Sequence, residues 1–158
     1  WEPAVLRRQS GALMAVRRLL GLACLLTSLP LGCSTSVSVD DAWVREPPPR
    51  SPAAAYAIIE NSTSSVIELT GVQTDVAERA EIHVMEHVEG IMKMRRIDSV
   101  TIAAGASLAL QSGATHLMLM GLRRPLRSGD AVELRLQFAD GTERLVQAPV
   151  RKGGYESD

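Results

Sequence analysis

All the imidazole in this chain lies in one stretch. His83, His87 and His116 fall between positions 83 and 120, as do Met85, Met92, Met94, Met118 and Met120. The remaining methionine, Met14, reads as the translation start. Thioethers are soft neutral ligands and imidazole is borderline, a pairing that suits Cu(I) and not Mg, Ca or Mn. Zinc would ask for Cys, His or carboxylate, and the carboxylates here are scattered. Iron–sulfur clusters need thiolates, which the stretch lacks. Outside the cytoplasm methionine has a further advantage, because paired thiolates oxidise to a disulfide and thioethers do not.

Alternation along a strand groups these residues. Side chains at i, i+2 and i+4 share a face. His83, Met85 and His87 then point one way and Ile82, Val84 and Val88 the other. His116, Met118 and Met120 separate in the same manner from Leu117 and Leu119. Met92 and Met94 alternate just after Gly90. Two H-x-M units on neighbouring strands, with a third strand offering methionine, could converge on one ion. The competing reading is packing, since methionine fills irregular core gaps and a Met-Leu-Met run is ordinarily a buried strand. That reading makes the chain a metal-free β-sandwich lipoprotein with an interaction role, its His/Met strands buried in the core.

The spacing His83-x10-Met94-x21-His116-x-Met118 resembles the H-x10-M-x21-H-x-M pattern of the PCu(A)C periplasmic copper chaperones. The flanking text is similar too: Ala42-Trp43-Val44-Arg45, Pro47–Pro49, Ala54-Ala55-Tyr56 leading to Glu60-Asn61, and Gly121-Leu122 before Pro125-Leu126. The resemblance covers about Val37 to Arg151. It implies a cupredoxin-like fold and a Cu(I) site made by His83, Met94, His116 and Met118. Met85, Met92, Met120 and His87 fall off the pattern and would be auxiliary at most. It also implies delivery of copper to the CuA centre of cytochrome c oxidase subunit II, alongside Sco-type proteins. Sequestration or resistance on the same fold is the alternative use. Some members carry a His/Met-rich C-terminal extension; with GGYESD at the end of this sequence, no second metal site is expected there.

The elements that must position these residues read as all-β. Short apolar stretches at Val37–Arg45, Ala54–Glu60, Val66–Val72, Glu81–Val88, Ile91–Arg95, Val100–Ile102, Ser107–Leu110, His116–Gly121, Ala131–Phe138 and Thr142–Val150 are separated by turn residues. Val132, Leu134, Leu136 and Phe138 alternate with Glu133, Arg135 and Gln137, as in a half-buried strand. Asp140-Gly141 predicts a two-residue hairpin with φ > 0 at both positions. Thr74–Arg79 hints at a helical turn, and Asn61-Ser62-Thr63 reads as a turn and not as a glycosylation acceptor. Strands of this size and number close into a single Greek-key β-sandwich or barrel, where binding sites usually gather in the loops at either end.

Residues 1–32 read as upstream sequence followed by an export signal. Arg17 and Arg18 precede the apolar run Leu19–Leu31, which is too short to span a membrane as a helix. The arginine pair also fits a twin-arginine signal, though ordinary signals carry such pairs. Leu31-Gly32-Cys33-Ser34 resembles a bacterial lipobox, with Pro30 where an aliphatic residue is usual; Cys33 would then be the lipid-bearing N-terminus of a membrane-anchored periplasmic protein. Residues 33–38 form a tether, 37–151 the binding domain and 152–158 a short tail. Cys24 and Cys33 are the only cysteines, so the exported domain forms no internal disulfide. Nor can it build a His₂Cys blue-copper site.

Formal net charge is −1, which argues against a nucleic-acid partner. With Arg7, Arg8, Arg17, Arg18 and Glu2 set aside, 13 basic and 17 acidic residues remain, a net of −4. There is no Ser/His/Asp arrangement, no CxxC, no Gly-rich phosphate loop and no carboxylate pair expected near the His/Met cluster. The sequence reads as a binding and delivery module, not an enzyme.

Overall fold

A computed structural model describes residues 36–153. The signal segment, the lipobox with Cys33 and the last five residues lie outside the described residues. Ten strands form: β1 (Val37–Arg45), β2 (Ala53–Asn61), β3 (Ile67–Gln73), β4 (Ala77–Val88), β5 (Ile91–Ile97), β6 (Val100–Ile102), β7 (Ser107–Leu110), β8 (His116–Leu122), β9 (Ala131–Phe138) and β10 (Glu143–Arg151). The fold is all-β and cupredoxin-like.

The strands hydrogen-bond in the order β5-β4-β8-β2-β1-β10-β9-β3-β6, with β7 also on β2. β2 is long enough to serve two partners, pairing β8 through Ala53–Ala55 and β7 through Ala57–Glu60. A short parallel contact, Val44 with Val150 and Arg45 with Arg151, joins the β5-to-β1 layer to the β10-to-β6 layer. Between the layers lies one apolar core. Leu117, Leu119 and Ile82 reach it from β8 and β4, and Val132, Leu134, Leu136, Leu69 and Val72 from β9 and β3. Alternation does this work: on strands such as β8 and β9 every second side chain enters the core, so the others are presented outward.

Two local expectations are corrected. Thr74–Arg79 forms no helical turn; Ala77, Glu78 and Arg79 begin β4, with Ala77 opposite Leu122 and Arg79 opposite Met120. The Ala-Glu-Arg-Ala run has helical propensity, but pairing with β8 overrides it. The Asp140-Gly141 connection is also not a two-residue type I′ hairpin. Gly141 has φ +82° while Asp140 is not in the left-handed region. The Gly141 amide donates to the Phe138 carbonyl and the Phe138 amide to Thr142, so the loop has three residues, Ala139 to Gly141. That is a type I turn closed by a left-handed glycine. The type I′ geometry occurs elsewhere, at Glu89 (φ 54°) and Gly90 (φ 81°) between β4 and β5.

Asn61 is 1% exposed. Its amide nitrogen donates to the carbonyls of Ser65, Ile102 and Ala103 at 2.8, 3.1 and 2.9 Å. Its amide oxygen accepts from the Thr63 amide and hydroxyl. An amide enclosed in this way clamps a turn, and the sugar-acceptor reading of Asn61-Ser62-Thr63 is excluded.

Candidate metal centre

β4 is the middle strand of the cluster, with β5 on one side and β8 on the other. Its register sets every neighbour: His83 pairs with His116, Glu81 with Met118 and Arg79 with Met120 on β8. On β5, Met94 pairs with Met85, Met92 with His87 and Arg96 with His83. Directly paired residues share a face. Among the described residues, all three histidines and all five methionines therefore stand on one face of a three-stranded ribbon, opposite the core face of Ile82, Leu117 and Leu119. The His/Met cluster lies on the strands themselves and not in the end loops.

The type I′ turn at Glu89-Gly90 fixes the β4–β5 register, and a slip of one residue would turn β5's methionines to the other face. Glu86 and Arg95 form an ion pair across the same hairpin, where the strands outrun the core. β5 is thus exposed along nearly its whole length. Met94 is 48% and Met92 43% exposed, so these methionines do not fill the core as the packing reading requires.

The two histidines occupy the centre of the cluster, their ring centroids 6.1 Å apart. His116 is 6% exposed. Its Nδ1–H donates to the Ala114 carbonyl at 3.0 Å; a carbonyl can only accept, so the proton sits on Nδ1 and the Nε2 lone pair is the ring's donor atom. His83 is held the opposite way round. Its Nε2–H donates to Glu81 Oε2 at 2.9 Å, and its Nδ1 is buried without a hydrogen-bond partner. Each ring is thus tied through one nitrogen and keeps the other free of hydrogen bonds, and a metal binds imidazole through such a nitrogen. The bond from His83 is the main reason the Glu81 carboxyl lies below the usual carboxylate range; burial opposes it, and the charges of Arg96, His83 and Arg79 assist.

Around this pair the methionines are graded by register. Met118 follows His116 on the same face, and Met85 follows His83. Met94 is one diagonal step from His83, beside Met85. Met120 lies beyond Met118 at Arg79, and Met92 and His87 lie together near the hairpin tip. Among the described residues no three of His, Cys, Asp or Glu converge; an ion held by the two imidazoles would take thioethers as its further ligands.

Glu81 is the residue that the sequence reading missed. It was legible: Glu81-Ile82-His83 puts the carboxylate on the face of His83 by the same period of two that grouped the methionines. It is a single carboxylate bonded to a histidine, not a carboxylate pair.

A family model described as "Putative lipoprotein LpqE-like" matches residues 37–150. The chain belongs to the LpqE-like family. Across 140 residues this LpqE-like chain is 31% identical to "Putative lipoprotein Lxx21020" of Leifsonia xyli subsp. xyli, covering 84% of each. Among solved structures it is similar to the solution structure of CuI-DR1885 from Deinococcus radiodurans, with 32% identity, a TM-score of 0.59 and coverage of 81% of this chain and 83% of that one. The copper-bound PCuAC domain from PmoF2 superposes with a TM-score of 0.62 over 74% of this chain and 93% of that one; at 20% identity it speaks to the fold. The resemblance to PCu(A)C domains read from the sequence is thereby borne out.

Proposed function

We propose that this LpqE-like domain is an extracytoplasmic Cu(I) carrier that binds one ion through His83, Met94, His116 and Met118. The observation that carries the reading is the central histidine pair: two adjoining imidazoles, each tied at one nitrogen and open at the other, among thioethers on one sheet face. Soft sulfur with borderline nitrogen is a Cu(I) donor set. The copper-bound state of the Deinococcus protein, similar over most of the chain, supports the same cargo. Delivery follows from exposure. A half-exposed Met94 can leave the ion, and a recipient's ligand can take its place without a charged group being stripped away. The recipient in this reading is the CuA site of cytochrome c oxidase subunit II, with Sco-type proteins as companions. The lipid-bearing Cys33 holds the domain at the outer side of the cytoplasmic membrane or on the outer membrane.

Titration of the purified domain with Cu(I) under reductant, against a competing Cu(I) chelator, tests the site; one ion per domain is expected. Retention of all copper by the chelator at every ratio would sink the reading. Mixing the loaded domain with a copper-free CuA fragment separates delivery from sequestration, since a store would keep its ion. Cys33→Ser is expected to release the protein from membranes or block its processing.

A further inference from the structure

The two histidines are held by opposite nitrogens, and the group responsible at His83 is Glu81. We propose that Glu81 is a positioning residue that keeps the His83 proton on Nε2, so that His83 ligates Cu(I) through Nδ1 while His116 ligates through Nε2. The inference rests on the Cu(I) reading above and deepens it.

A buried nitrogen without a partner costs free energy. His83 Nδ1 is such an atom, and its ring's other nitrogen already donates to Glu81 at 2.9 Å. Were copper to bind at Nε2, the ion would displace the proton that Glu81 accepts, and Nδ1 would stay buried and unpaired. With copper at Nδ1, both ring nitrogens and the carboxylate are satisfied together. Glu81 is suited to holding the ring still: its side chain is only 18% exposed, and Arg79 Nε lies 3.6 Å from its other oxygen. A carboxylate–histidine–metal relay orients the ring and raises its basicity. On the other ring the Ala114 carbonyl does the equivalent work, from the opposite nitrogen.

Cu(I) is diamagnetic, so the ring nitrogens can be read directly by long-range ¹H–¹⁵N correlation in the apo and Cu(I)-loaded domain. The expected result is a copper-induced ¹⁵N shift at His83 Nδ1 and His116 Nε2, with protons retained on His83 Nε2 and His116 Nδ1. Glu81→Ala is expected to weaken Cu(I) binding by about 10–100-fold, the range for outer-shell partners, and to scramble the His83 tautomer. Glu81→Gln, whose amide oxygen can accept the same bond, should recover most of the affinity and the tautomer. A copper-induced shift at His83 Nε2 instead of Nδ1 would overturn the positioning role while leaving the carrier intact. So would Glu81→Ala that loses stability but keeps wild-type affinity and the wild-type His83 nitrogen shifts. No copper-induced shift on either ring would overturn the carrier reading as well.

Discussion

Asn61 and His116 are the two buried polar side chains of the described domain, and they are buried to opposite ends. Asn61 spends its whole hydrogen-bonding capacity inside the protein: donors to three carbonyls, and an acceptor to Thr63. His116 and its neighbour His83 each spend half, and His83 Nδ1 is left bare. Desolvating a polar group without compensation is costly, so an unspent lone pair in a folded domain marks a place where something else completes the bonding. The difference separates a polar group that holds the structure from one that waits for a ligand, although both are equally hidden from water.

The largest expected effect breaks the comparison on the ligand side. Replacing His83 and His116 together by Ala should lower Cu(I) affinity by more than about 100-fold, beyond what supporting residues alone carry. Equilibrium binding against a chelator, with circular dichroism to verify folding, decides it. Unchanged copper uptake in a folded double variant would return the cluster to simple packing.

Next in size is Asn61→Ala, which should do the reverse. It takes a donor from the buried Ile102 carbonyl and from the more open Ser65 and Ala103 carbonyls, and the acceptor from the Thr63 amide, at about 1–3 kcal/mol for each group left unsatisfied and unreached by water. A fall in Tm of about 10 °C or more is expected, with one Cu(I) still bound per domain. Loss of copper with no loss of stability would invert the distinction drawn between the two residues.

How much of this was legible beforehand follows from the range of each interaction. The strands were, because period-two alternation such as Val132-x-Leu134-x-Leu136 is written locally. So was the common face of His83 and Met85. Glu81 obeys the same period, but a lone carboxylate on a strand does not by itself mark a histidine partner, since only the fold shows that it bonds His83. The order β5-β4-β8 was not legible, since it depends on pairing between segments about 30 residues apart, and with it went the fact that His83 faces His116 directly. Turn chemistry misled on the turn type at Asp140-Gly141, and at Glu89-Gly90 it marks a break without revealing that a non-glycine residue takes positive φ. Glutamate seldom does so, and only the closure of the β4–β5 ladder on both sides enforces it.

A smaller effect sharpens the ligand side. Motif and register disagree about the third sulfur: the family spacing implies Met94, while Met85 is the thioether next to His83 on its own strand and directly opposite Met94. Leucine keeps the volume of methionine and costs less than about 1.5 kcal/mol in stability. Met94→Leu is expected to weaken Cu(I) binding by about tenfold, or about 1.4 kcal/mol, with Met92→Leu as a control near wild type. A greater loss in Met85→Leu than in Met94→Leu would reassign the sulfur to the residue the register favours.

The smallest effect concerns a polar group that is satisfied but not buried. Asp130 accepts from the Arg127 amide at 3.0 Å and from Arg124 Nη1 at 3.1 Å. The backbone bond, then Arg124, holds its carboxyl below the ordinary aspartate range. A carboxyl whose folded pKa is depressed contributes stability that is present above its unfolded value, about 3.9, and is lost as pH falls through the folded value. The site is open to water and salt, so the contribution is small, as for surface ion pairs generally. Asp130→Asn should therefore leave the thermal stability at pH 7 within about 2 °C of wild type, and make acid unfolding below about pH 4 slightly less steep. High salt should narrow the gap between variant and wild type, since Arg124 is exposed and its charge is screened. A Tm loss as large as that of Asn61→Ala would mean that satisfaction alone, without burial, sets the worth of a hydrogen bond in this fold, and the contrast between Asn61 and the histidine pair would lose its physical basis.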